Sequence, residues 1–216
     1  MSFERKYVAP SSAATRLLAR LRALLPPDGD FPVDVVHSVY FDTPSLRSVA
    51  EVTNGDRQKA KMRVRWYESS GPGLAFAECK RKSGAQRAKL RVPLAGVDVT
   101  RPLHDPAWRD ALPALRRAGV ELPFGNLQPT VHVVYRRHRF LERSRELRIA
   151  LDTEIRVAEV HPRLARRAAV GRRPLPWVVL EAKGADRFLP RSLSCVHGMG
   201  ARRSAFSKYG LLVGEM

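Results

Sequence analysis

Acidic residues are scarce in this chain: 21 Asp and Glu stand against 39 Lys and Arg, a net charge of +18 over 216 residues. Such an imbalance implies an anionic partner, whether polyphosphate, nucleotide, nucleic acid or an anionic membrane surface. Aromatic residues make up only 7% of the chain. Most are needed in a core, which argues against recognising single strands by base stacking. The two cysteines, Cys79 and Cys195, have no metal-ligand spacing. They read as reduced thiols, and a cytoplasmic location is the expectation. No apolar run approaches a membrane span, and no secretory signal with an apolar centre is present. A Walker-type Gly-rich loop, a Ser/His/Asp arrangement and a zinc pattern are missing too. The six histidines are scattered, and His132, His138 and His197 suit structural roles better than catalytic ones.

What the chain has instead is cations spaced two apart. Strand side chains alternate faces, so in the run 62–67 Met62, Val64 and Trp66 fall on one face and Arg63, Arg65 and Tyr67 on the other. One such strand is a solvated outer face. The pattern repeats, however. Glu78 and Lys80 share a face, with Lys82 following; Lys89 pairs with Arg91; Tyr135, Arg137 and Arg139 align. Arg148, Asp152 and Glu154 align opposite Leu147, Ile149 and Leu151, and Glu181 aligns with Lys183. A flat sheet with a charged outer face accommodates this. So does a closed barrel lined with charge, which has no strand edges and encloses room for a small ligand.

The segments carrying these residues resemble, in order, the polyphosphate-polymerase (VTC) domain family. That family is a branch of the triphosphate tunnel metalloenzymes, related to the CYTH domains. The matching pieces are Glu4-Arg5-Lys6-Tyr7, Val39-Tyr40-Phe41-Asp42-Thr43, Arg63-Val64-Arg65-Trp66-Tyr67, Glu78-Cys79-Lys80 and Lys89-Leu90-Arg91. They continue through Tyr135-Arg136-Arg137, the run 147–153, Leu180-Glu181-Ala182-Lys183 and Phe206-Ser207-Lys208-Tyr209. The resemblance implies an α+β fold, a closed antiparallel eight-stranded tunnel barrel with flanking helices, as one domain over 1–216. It implies metal-dependent transfer of the terminal phosphate of ATP onto a polyphosphate chain.

In that reading Lys6, Arg63, Arg65, Lys80, Lys89, Arg137, Arg148 and Lys208 are the catalytic phosphate contacts. Tyr135, Ser207 and Lys183 bind substrate, and Glu181 holds Mn²⁺ or Mg²⁺, with Glu4 and Glu78 as further candidate ligands. The residue types suit the chemistry. Phosphoryl transfer needs oxygens held in line with their charge compensated; Arg offers a planar fork and Lys a point charge. Hard divalent cations are held by one or two carboxylates plus the substrate's own phosphates. The implied partners are ATP or another triphosphate, and polyphosphate, with no specific nucleic acid. A separate membrane partner would be needed to couple synthesis to translocation.

Two departures are visible. Ser2 stands where hydrolytic and cyclase relatives begin an acid-x-acid-x-Lys pattern, and Ala205 stands where eukaryotic members carry an additional lysine. The alternatives are a tunnel triphosphatase and a non-catalytic polyphosphate- or polyanion-binding module.

The remaining chain predicts elements around this face. Ser11 and Ser12 are candidate caps for a helix running through Leu25, with Leu17, Leu21, Leu24 and Leu25 as its apolar stripe. Asp42 before Thr43-Pro44 reads as turn chemistry. Residues 98–128 are expected to form a helical insertion covering one side of the barrel and 161–176 a basic loop, and the tail is expected to be mostly helical.

Overall fold

The structure, a computed structural model, describes residues 3–70, 73–84, 86–119, 121–122, 125–142, 146–164, 173–186, 188–204 and 207–210. Its strands are β1 (Phe3–Pro10), β2 (Val33–Asp42), β3 (Gln58–Tyr67), β4 (Ala75–Ser83), β5 (Gln86–Leu94), β6 (Gln128–Glu142), β7 (Leu147–Val160), β8 (Trp177–Gly184) and β9 (Arg202–Arg203). Its helices are α1 (Ala14–Leu24), α2 (Arg47–Thr53), α3 (Ala111–Arg117) and α4 (Cys195–Gly198). The strands make one antiparallel sheet in the order β5-β4-β3-β2-β6-β7-β8-β1-β9.

The sheet has nine strands where eight were expected, and its hydrogen-bonded ladder does not close: among the described residues β5 and β9 are its edges. The reasons are local. The ninth strand pairs only through Arg203 with Tyr7 and Arg202 with Val8. Arg87, Lys89 and Arg91 make β5 a charged, largely exposed strand, and charge of that kind discourages further pairing.

The chain divides into two compact units, with β2, β6 and β7 contributing residues to both. The first comprises Met1–Val35, Tyr135–Arg156 and Arg173–Phe206. Here β1 pairs with β8 from Phe3↔Gly184 to Pro10↔Trp177, and β8 pairs with β7 through Arg148↔Lys183 and Ala150↔Glu181. Alternation then does the sorting. Tyr7, Ala9, Val178, Leu180, Ala182, Ile149 and Leu151 form an apolar face that buries Leu17 and Leu21 of α1 completely. The expected serine cap is not what starts this helix. A 3-10 turn over Ser11–Ala13 leads into α1 without a side-chain cap, and the Ser11 amide donates to the Pro176 carbonyl at 2.8 Å.

The second unit comprises Val36–Val134, Val157–Arg172 and Ser207–Met216. Val39, Phe41, Met62, Val64, Ala77 and Cys79 form its apolar face, covered by Trp108, Ala111 and Leu115. These covering residues lie within 98–128. Asp105 accepts from the Ala107 amide at 2.8 Å to start a 3-10 turn. Pro113 falls in the first turn of α3, where its missing N–H breaks no helical bond.

Helix α2 is not foreseen from the sequence, because Asp42 and Thr43 read as a turn. They make the turn and also begin the helix. Asp42 Oδ1 accepts from the amides of Thr43 (2.8 Å) and Ser48 (2.9 Å), and Thr43 Oγ1 accepts from Arg47 (3.1 Å). Ser2, Ala205, Phe206 and residues 165–172 of the 161–176 loop, with Arg166, Arg167 and Arg172, lie outside the described residues.

Leu21→Ala removes a fully buried side chain and is expected to cost about 2–5 kcal/mol of stability. Chemical denaturation of the purified variant measures it.

Candidate functional site

Opposite the apolar face of the second unit, strand register sets charged residues side by side. Arg63 lies opposite Tyr40 on one side and Glu78 on the other, and Glu78 lies opposite Arg91. The Glu78 carboxylate is buried. Arg63 Nε donates to Oε2 at 2.7 Å, with Arg65 at 3.9 Å from the same oxygen. Lys89 at 3.0 Å and Arg91 at 3.7 Å engage Oε1. Four cations against one carboxylate leave an excess of three positive charges. Burial would raise the Glu78 carboxyl, but Arg63, Arg65 and Lys89 outweigh it and hold it well below the usual carboxylate range. Both oxygens thus lie within ion-pair reach of cations, and Oε2 accepts from Arg63 while Oε1 has no hydrogen bond among the described residues.

The same face extends along the strands. Lys80 lies opposite Lys61 and Lys89, and Lys61 Nζ donates to Ser207 Oγ at 2.6 Å. Arg65 Nε donates to Ser38 Oγ at 3.1 Å. Arg63 Nη1 reaches the Tyr40 hydroxyl at 3.3 Å. The Tyr40 ring stacks on Tyr209 at 4.8 Å, and the Tyr209 hydroxyl donates to Asp42 at 2.8 Å. Burial would raise the Tyr40 phenol, but the charges of Arg63, Arg65 and Lys208 bring it down to about 8. Burial and the Asp42 carboxylate push Tyr209 well above its ordinary value. Stacked neighbours thus titrate far apart.

The first unit has a charged face of its own. Glu4 and Lys6 on β1 lie opposite Lys183 and Glu181 on β8. Arg137 is committed to acids: Nε and Nη2 hold Asp152 at 2.6 and 2.8 Å, and Nη2 also reaches Glu181 at 3.1 Å. Its guanidinium lies 5.4 Å from the Tyr135 ring centre. Burial opposes the Glu181 charge, yet Arg137 and Lys183 keep that carboxyl well below its ordinary range. Arg148 is exposed, on the Lys183 row. Arg5, by contrast, points to the apolar side and donates to the carbonyls of Asp186 and Phe188. Glu154 leaves the expected alignment. Its φ of 53° interrupts the alternation of β7, and it pairs with exposed Arg136 at 3.3 Å.

Each unit therefore brings its own candidates together: Arg63, Arg65, Lys80, Lys89, Ser207 and Lys208 in the second, and Lys6, Tyr135, Arg137, Arg148, Glu181 and Lys183 in the first. Tyr40 and Lys61 belong to the charged face without having been singled out, and Arg91, aligned with Lys89 in the sequence, joins it. Lys61 was legible, two residues before Arg63. Tyr40 was not, since only the register reveals that it meets Arg63. As for a metal, no group of three or more His, Cys, Asp and Glu is placed to hold one among the described residues. Glu4 and Glu181 lie diagonally across the β1–β8 pair. Two carboxylates suit Mg²⁺ or Mn²⁺, which complete their shells with water and phosphate oxygens, better than an ion caged by protein alone.

The family model for the VTC domain matches residues 2–213. The chain belongs to the VTC domain family. No curated protein matches it significantly by sequence. Among solved structures, a proposed adenylate cyclase from Bacillus halodurans is similar with 14% identity and a TM-score of 0.53, covering 86% of this chain and 81% of that one. A second proposed adenylate cyclase, from Vibrio parahaemolyticus, has 13% identity and a TM-score of 0.47, covering 97% of each chain. The Bacillus likeness shows a shared fold. In this VTC domain no helix among the described residues is long and apolar enough to cross a membrane.

Two outcomes test the electrostatics of this VTC domain. Glu78→Gln leaves buried arginines without their counter-charge and is expected to destabilise by about 3–5 kcal/mol, read by denaturant unfolding. In a spectrophotometric titration, one of the five tyrosines should ionise near pH 8, and this step should vanish in Tyr40→Phe. Because the folded value is lowered from 10.0 to about 8, the Tyr40 contribution to stability is lost as pH falls through 8 and is complete only above 10.

Proposed function

We propose that this VTC domain is a metal-dependent polyphosphate polymerase that transfers the terminal phosphate of ATP onto a growing polyphosphate chain. The observation that carries the reading is the convergence of Arg63, Arg65, Lys89 and Arg91 on one buried carboxylate. Its uncompensated charge sits on a strand face of a family whose resemblance implies this chemistry. A tunnel enclosing the substrate belongs to the same proposal.

On this reading the residues act by holding oxygens and compensating charge, which is most of what phosphoryl transfer asks of a protein. Arg63 is braced by Glu78 and Tyr40, and Arg65 by Ser38, so their guanidiniums are set before a phosphate arrives. Lys80, Lys89 and Lys208 add point charges. Glu181, with Glu4, would hold Mg²⁺ or Mn²⁺, while Lys6, Lys183 and Arg148 meet phosphate oxygens. The bound cation supplies charge neutralisation and a template for those oxygens. Arg137 orients Glu181 through Nη2, and Nη1, which holds neither acid, meets a phosphate oxygen.

Incubation of the purified chain with ATP and Mn²⁺, followed by gel analysis, tests the reading. A long polyanion is the expected product. Free phosphate alone would mean a triphosphatase, and no turnover with tight polyphosphate binding a non-catalytic module. Arg63→Ala should lower turnover by roughly 10²–10³, the usual cost of one charge-stabilising donor. Glu181→Gln should nearly abolish transfer, while metal-free polyphosphate binding is unchanged or tighter. Full activity of Glu181→Gln at saturating metal would reject its assignment.

A further inference from the structure

Beyond the Glu78 row, the β3-β4-β5 meander carries two further rows of cations on the same face. Register sets Lys61, Lys80 and Lys89 opposite one another, and then Lys59, Lys82 and Arg87. Rows on one face are about 6.8 Å apart, twice the strand rise, and neighbouring strands about 4.8 Å. Directly opposed like charges destabilise a sheet, and a carboxylate in each row would remove the cost. The Glu78 row has one, which also holds Lys89 of the next row at 3.0 Å; the row of Lys59, Lys82 and Arg87 has none. Lys82 and Arg87 are exposed, Lys59 half-buried, and none of the three has an ion pair among the described residues. A repelling row held by strand pairing is a site for an anion, and one continuous with a phosphate-binding face suits an anion that is itself a chain.

We propose that Lys59, Lys82 and Arg87, adjoining Lys61, Lys80 and Lys89, form a distal subsite for the phosphates of a long polyphosphate that extend past the Glu78 row. It rests on the reading of this face as a triphosphate site and adds length selectivity to it. A triphosphate is held at the Glu78 row and ends before the last row, whereas a longer chain engages all three.

The test is binding without nucleotide or metal, comparing inorganic triphosphate with long-chain polyphosphate. The variant is Lys59→Gln/Lys82→Gln/Arg87→Gln, with Arg16→Gln/Arg20→Gln/Arg22→Gln on the exposed side of α1 as a charge-matched control. Removing mutual repulsion should leave the thermal midpoint the same or higher. The variant should lose about 10- to 100-fold in long-chain affinity and keep triphosphate affinity within about two-fold, and its log–log salt slope should be shallower by about 2, near 0.7 for each lost phosphate contact. Unchanged long-chain affinity would overturn the subsite. So would an equal loss for triphosphate, an equal loss in the control triple, or a loss confined to single-stranded RNA. A wild-type chain that binds neither phosphate species would bring down the reading of the whole face, a result distinct from a wild type that binds both and a variant that does the same.

Discussion

A carboxylate buried beneath four cations governs the second unit. Arg63, Arg65, Lys89 and Arg91 come from two strands flanking the one that carries Glu78, and the pairing of those strands forces them together whether or not they attract. Without Glu78 the row would be one more set of opposed like charges, which strand pairing tolerates only at a cost. With it, each arginine has a fixed partner and a fixed direction. The opposite face closes the argument: Met62, Val64, Ala77 and Cys79 are buried against Trp108, Ala111 and Leu115, so the strands cannot rotate to relieve the repulsion. The apolar core holds the register, and the register holds the charges.

The first unit solves the same problem with a different balance. Arg137 holds both Asp152 and Glu181 through Nε and Nη2, so much of its charge is offset inside the protein. What that secures is the position of Glu181, a buried acid held by Arg137 on Oε2 and by Lys183 on Oε1. The two units thus differ in kind: one carries a cation excess around a single acid, the other acids positioned by an arginine. Binding of phosphate suits the first arrangement and binding of a hard cation the second.

Much of this was written in the period of two. Strand existence, the apolar-versus-charged division of each strand and the covering insertion at 98–128 all follow from alternation and from the spacing of Trp108, Leu112 and Leu115. What alternation cannot convey is which residue of one strand faces which of the next. The pairing of Tyr40 with Arg63, and of Glu78 with both Arg63 and Arg91, depends on register. Nor can it anticipate a left-handed residue such as Glu154, which moves an acid to the other face while leaving the sequence pattern intact. Helix α2 was hidden because Asp42 and Thr43 serve a turn and a helix start with the same side-chain oxygens. Strand number failed at β9, where two residues pair with β1 in a segment too short to show any period.

Within each unit the deepest acids form a floor beneath the more exposed cations, although Arg63, Arg65 and Arg137 lie nearly as deep. In the second unit the side chain of Glu78 is 1% exposed and those of Lys89 and Arg91 are 42% and 37% exposed; in the first, Asp152 and Glu181 are 0% and 8% exposed and Lys183 is 43% exposed. An approaching ion therefore meets the cations first, and the low-dielectric floor screens the acids less than water screens the cations. Phosphate is drawn in by that upper layer, whereas a free divalent cation is repelled by it before Glu181 can attract it. On the proposed function, Glu181 would take a divalent cation more readily when the charge of that cation is offset by a triphosphate, because the exposed lysines repel such a complex less than the free ion. The scarcity of acidic residues and the burial of these three then have a single cause. An acid at the level of the lysines would cancel the attraction that a floor acid merely organises.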